Sequence, residues 1–135
     1  MTNVLKARDA EFIAKCKQLI SRRNLAGEKV NLYDVINEVV NSRPRCHYAN
    51  YDTASRILHA IERGGADCAG RGLQRLKWIE LYNQVRETID GPRRLTFDKA
   101  LSFVLSFRRP SRFYIDPIRA ARILRPHIRV MYMLG

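Results

Sequence analysis

Arg43-Pro44-Arg45-Cys46-His47-Tyr48 runs on through Ala54, Arg56, Ile57 and Leu58. It has a second copy downstream in Arg109-Pro110-Ser111-Arg112-Phe113-Tyr114, which runs on through Ala120, Arg122, Ile123 and Leu124. At a shift of sixty-six positions, residues 43–58 match residues 109–124 at Arg, Pro, Tyr, Ala, Arg, Ile and Leu, seven identities in sixteen without a gap. An unrelated pair of segments gives roughly one at ordinary residue frequencies. At the same shift Trp78-Ile79 overlies Phe12-Ile13 and Gln84 overlies Gln18, which carries the similarity back into the first helix of each half. Self-similarity at a fixed period points to a repeated structural unit.

Working outward from these copies, apolar residues recur at helical spacing. Residues 2–25 place Leu5, Phe12, Ile13, Cys16, Leu19 and Ile20 inward, with Lys6, Arg8, Lys15, Lys17, Arg22 and Arg23 as a basic outer face ending near Gly27. Asn31 caps a short second helix with the stripe Leu32, Val35, Ile36, Val39 and Val40, which must stop before Pro44 because the residue preceding proline is pushed out of helical geometry. A third helix carries Ala54, Ile57, Leu58 and Ile61 inward and ends at Gly64-Gly65. A fourth, about 73–89, buries Leu76, Trp78, Leu81, Tyr82, Val85 and Ile89, and Thr96 caps a fifth bearing Phe97, Ala100, Leu101, Val104 and Leu105. The sixth starts at Asp116-Pro117, with Ala120, Ile123, Leu124, Ile128, Met131 and Leu134 on one side and Arg119, Arg122, Arg125 and Arg129 opposite. Pro126 inside it predicts a kink or break near Arg125. No stretch alternates with period two. The expected fold is all-α, two tandem pseudo-symmetric three-helix units packed into one compact bundle-like domain: residues 1–65, a linker at 66–72, and residues 73–135.

The chain has 135 residues, 46% of them apolar, and carries 25 Lys and Arg against 13 Asp and Glu, a formal charge of +12. Such an excess favours polyanionic partners, of which nucleic acid is the commonest for a small protein. Three cysteines without a CxxC pair argue against a disulfide framework and for a reducing compartment. No apolar run reaches eighteen residues and the N-terminus lacks signal-peptide character, so the expected location is cytoplasmic.

Catalytic patterns are missing. His47, His59 and His127 are isolated, no metal-ligand spacing occurs, and no glycine-rich phosphate loop follows a strand. Adjacent Cys46 and His47 do not make a nucleophile–base pair, which needs side chains brought face to face. The expectation is a non-enzyme without metal or cofactor. The repeated loops are the leading candidates for function, since arginine forks bind phosphate and exposed aromatics stack on bases. Arg43, Arg45, Arg109 and Arg112 lead, with Arg108 beside them. The helix-borne Arg56, Arg119, Arg122, Arg125 and Arg129 extend the surface, and Tyr48 and Tyr114 either stack on bases or anchor the loops in the core. The connection between second and third helices is too long, and contains proline, for a helix-turn-helix.

The expected function is nucleic-acid binding, DNA before RNA, mainly through the phosphate backbone. The alternative is a structural or adaptor component of a larger assembly, such as a phage particle or mobile-element complex, with a protein partner or self-association. A peripheral membrane role fits less well, because the basic C-terminal helix has no Trp or Phe anchor.

Overall fold

A computed structural model describes the backbone of residues 3–134 and the side chains from Asn3 to Ile128. Six α-helices and no strand occur among the described residues: α1 (Asn3–Leu25), α2 (Leu32–Val40), α3 (Tyr51–Gly64), α4 (Gly72–Ile89), α5 (Phe97–Phe107) and α6 (Pro117–Leu134), with a 3-10 turn at Ala66–Ala69 between α3 and α4. The fold is all-α.

The helix ends sit where local chemistry places them. Gly27, at φ +74, closes α1: its N–H bonds Asn24 O at 3.1 Å and the Glu28 N–H bonds Arg23 O at 2.9 Å, the double bond that terminates helices on a left-handed residue. Asn31 Oδ1 accepts from the Tyr33 and Asp34 amides at 2.9 and 3.3 Å, capping α2. Asn50 starts α3 by accepting from Asp52 and Thr53 at 2.9 and 3.4 Å. Asp116, sixty-six positions on, starts α6 in the same way from Ile118 and Arg119, again at 2.9 and 3.4 Å. Thr96 Oγ1 caps α5 through the Lys99 amide.

The helices form two compact units. Unit 1 comprises residues 1–43 and 111–135, so α1 and α2 pack with α6. Its core joins Phe12, Cys16 and Ile20 of α1, Val35, Ile36, Val39 and Val40 of α2, and Ala120, Leu124 and Ile128 of α6, with Phe113 and Ile115 from the segment preceding α6. Burial in this core pushes the Cys16 thiol up to about 12. Unit 2 is the continuous segment 44–110, in which α3 packs with α4 and α5. Ala54, Leu58 and Ile61 of α3 meet Trp78, Leu81 and Val85 of α4 and Ala100, Leu101 and Val104 of α5.

Unit 1 therefore takes α1 and α2 from the first half of the sequence and α6 from the second, and unit 2 takes α4 and α5 from the second half and α3 from the first. The stretch 66–72 lies inside unit 2, where Ala69 is buried against α3 and α4.

Two local expectations need correction. Arg8 does not join the basic outer face: it is buried and its guanidinium donates to Asp9 Oδ1 at 2.9 and 3.1 Å. Leu76 is exposed, because it lies two residues before Trp78 and so about 160° round the helix from it. The buried edge of α4 includes Gln84 instead. α6 continues through Pro126 without a break. Pro126 and its neighbours Arg125 and His127 are all exposed, so the carbonyl left without a donor lies on the side of the helix that water can reach. The expected inward positions Met131 and Leu134 have side chains outside the described residues.

Candidate nucleic-acid interface

The copies of the repeated motif are built alike at several positions. Pro44 and Pro110 are both buried, as are His47 and Phe113, Ala54 and Ala120, and Leu58 and Leu124, while Arg56 and Arg122 are both exposed. In each half the carbonyl of the motif's first arginine accepts from the first helix. Lys15 Nζ donates to Arg43 O at 2.8 Å in unit 1, and Gln84 Nε2 donates to Arg109 O at 3.0 Å in unit 2.

In unit 2 the motif residues form a hydrogen-bonded chain. The His47 Nε2–H donates to Gln84 Oε1 at 2.6 Å, with the tautomer set by the amide whose nitrogen already serves Arg109 O. Arg109 Nε donates to Pro44 O at 2.7 Å, closing the chain and pinning the two ends of the segment together. Lys77 adds a bond to Tyr48 O at 3.0 Å. His47 is 6% exposed. Burial holds its imidazole below the ordinary value of 6.5, with Lys77 and Arg108 adding to the effect against Gln84 and Glu80.

In unit 1, Phe113 sets its edge on Phe12, ring centroids 6.1 Å apart, with Lys15 Nζ 5.2 Å from its ring and its own amide bonded to Val40 O at 3.0 Å. Tyr114 adopts φ +58, a left-handed conformation uncommon for a bulky residue. The residue is 8% exposed, with the Arg112 guanidinium 5.5 Å from the centre of its ring. The Arg112 Nε is buried with no hydrogen-bond partner.

These environments sort the candidate residues. Tyr114 is buried and Tyr48 is half-buried. Arg108 is half-buried and bound to Glu87 at 3.2 Å through both terminal nitrogens, and Arg112 is half-buried too. Arg43, Arg45 and Arg109 are exposed, although Arg109 spends its Nε on Pro44. Arg56 on α3 is exposed.

Arg119, Arg122 and Arg125 are all exposed, and among the described residues none of the three takes part in an ion pair. Their spacing of three keeps them on one side of α6, opposite Ala120, Leu124 and Ile128. The α6 sequence contains no acid to offset them. The Arg129 side chain lies outside the described residues. Charge follows the same bias. Unit 1 carries 13 Lys and Arg against 6 Asp and Glu, net +7, and unit 2 carries 12 against 7, net +5.

No group of three His, Cys, Asp or Glu side chains placed to hold a metal ion occurs among the described residues, and none of their helices is long and apolar enough to cross a membrane. No protein-family model, curated protein or solved structure matches the chain.

Gln84 and the Arg8–Asp9 pair were not legible as buried groups. Gln84 sits at the edge of an apolar stripe, where polar residues are ordinarily solvated, and Arg8 is one of the cations spaced along the first helix between its apolar positions. The one advance signal was the recurrence of Gln at positions 18 and 84, and Gln18 is exposed.

Proposed function

We propose that this chain is a non-enzymatic nucleic-acid-binding protein, DNA in the first instance, that neutralises backbone phosphates with the arginine side of α6. The observation that carries the reading is the row Arg119, Arg122 and Arg125, exposed, unpaired and on a helix without acids. A cation held by a carboxylate must first give up that partner, as Arg108 would, whereas this row is available as it stands. Arg43, Arg45 and Arg56 supplement it. The matched caps at Asn50 and Asp116 and the matched burial of the two motif copies support a finer proposal on the fold. The halves are a duplicated three-helix sequence whose copies exchange third helices.

Counterion release sets the test. Binding to duplex should weaken linearly on a log–log plot of affinity against salt, each phosphate contact contributing a slope of about −0.9. The Arg119→Gln/Arg122→Gln/Arg125→Gln variant should bind more weakly and lose up to about 2.7 from that slope. A parallel Arg43→Ala/Arg45→Ala variant should lose less. A triple variant that matches the parent in affinity and slope removes α6 as the contact surface. A stoichiometric, salt-resistant protein complex in place of nucleic-acid binding would favour the assembly-component alternative.

A further inference from the structure

α5 carries a side that its own unit leaves uncovered. Lys99, Phe103 and Phe107 follow at intervals of four beside the buried Ala100 and Val104, and Lys99, Ser102, Ser106 and Phe107 are exposed while Phe103 is half-buried. Phe107 is 74% exposed. A lone exposed apolar side chain needs no explanation, but this one is not alone. Its ring lies 5.0 Å from that of Phe103 at 47°, and the Arg93 guanidinium sits 4.6 Å from the Phe103 centroid.

The charge near the pair in sequence is mostly positive, although Arg108 is held by Glu87 of α4. Residues 91–110 contain Arg93, Arg94, Lys99, Arg108 and Arg109 against the single acid Asp98. Asp98 is about 140° round the helix from Phe103 and is engaged by His59 Nε2 at 3.2 Å. An aromatic face open to solvent, a second ring behind it and a guanidinium over that ring combine stacking with positive charge. Proteins that hold unpaired nucleotides use this combination, because every base has a π-face and every linkage a phosphate. Bases stacked within a duplex cannot offer their faces to Phe107.

We propose that the Phe103–Phe107 side of α5 is a stacking platform for single-stranded nucleic acid, with Phe107 against a base and Arg93 and Lys99 against the flanking phosphates. The proposal rests on the nucleic-acid reading above and names the form of polymer that this side takes.

The test titrates the intact protein and its Phe107→Ala variant with a fluorescent oligo-dT, an oligo-U and a duplex, at two salt concentrations. Unchanged Trp78 emission in the variant shows that the exposed substitution leaves the unit folded. A photo-crosslink of 5-iodouracil-substituted oligo-dT, mapped by mass spectrometry, reports the stack directly. Loss of one base stack should raise the single-strand Kd roughly ten-fold while leaving duplex binding within about two-fold, and the crosslink should fall on Phe107. Which single strand binds tighter separates DNA from RNA. Single-strand binding unaffected by Phe107→Ala overturns the platform and leaves the α6 reading standing, whereas no binding to any of the three polymers overturns both. A self-association that Phe107→Ala abolishes would instead make this side a protein interface and refute the proposal.

Discussion

Expressing residues 44–110 should give a folded protein, and expressing residues 73–135 should not, although the second corresponds to one half of the sequence repeat. The reason lies in where α3 sits. The segment 44–110 holds every helix of its own core, and its ends are tied by the 2.7 Å bond from Arg109 to Pro44 O. The segment 73–135 keeps α4 and α5 but loses α3, and with it Leu58 and Ile61, which are 0% and 6% exposed in that core. Burying a Leu or Ile side chain is worth about 1.5–3 kcal/mol, so these two residues supply about 3–6 kcal/mol. A single core in a chain of this size rarely yields more than about 3–5 kcal/mol in all. Without α3 no margin remains.

Trp78, the single tryptophan, reports the outcome because it belongs to the same core. In 44–110 its emission should be shifted to the blue, near-UV ellipticity should be retained, and urea should unfold the fragment cooperatively. In 73–135 the emission should match that of free tryptophan in water. Leu58→Ala within 44–110 then costs about 2–5 kcal/mol and should leave that fragment mostly unfolded. A cooperative transition with sheltered Trp78 in 73–135, together with an unfolded 44–110, would show that the helices pack as the sequence halves suggest and that the exchange is wrong.

Acid should destabilise unit 2 through His47. Its folded value lies below 6.5 because of burial, so as pH falls from about 6.5 the unfolded chain takes up the proton first and stability drops, by at most about 1.4 kcal/mol per pH unit. His47→Phe, which copies Phe113 of the other motif, should flatten this limb of the urea midpoint against pH. An unaltered limb would assign the acid sensitivity elsewhere. In unit 1, Asp9→Ala should cost about 3–5 kcal/mol by stranding the buried Arg8 charge, while Arg8→Met/Asp9→Leu should come close to the parent in thermal melting. Equal loss in both variants would mean that the side chains matter for shape rather than charge.

Much of the fold was written in local chemistry. Asn31, Thr96 and Asp116 announce the starts of α2, α5 and α6 because a side-chain oxygen in the right place satisfies orphan amides whatever else the chain does. The inward positions of α2, α3 and α5 follow from periodicity for a similar reason. Burial of single polar residues was less legible, since Gln84 is held by His47 and Arg109 from outside its own helix and Arg8 folds onto its neighbour Asp9. Of the candidate site, the arginine row on α6 was visible as a helical spacing. The fates of Arg108, Arg109 and Arg112 were not, because they depend on Glu87, Pro44 and Tyr114 being folded against them.

The partner of each helix was beyond reach for a physical reason contained in the repeat itself. α3 and α6 offer the same inward pair four apart, Ala54 and Leu58 or Ala120 and Leu124, so either could close either core as far as these apolar positions decide. What separates the two arrangements is the residue at which the motifs differ. The observed packing sets His47 against Gln84 and Phe113 against Phe12, polar with polar and ring with ring. Without exchange, His47 would turn to the helix bearing Phe12, and Phe113 would face α4, where Gln84 Oε1 would lose its imidazole donor. A buried acceptor left unmade costs about 1–3 kcal/mol, and the imidazole would lose its partner as well. One His-to-Phe difference between motif copies is thus enough to favour the observed packing by a factor of about five or more, and that preference is expressed only once both loops are folded onto their helices.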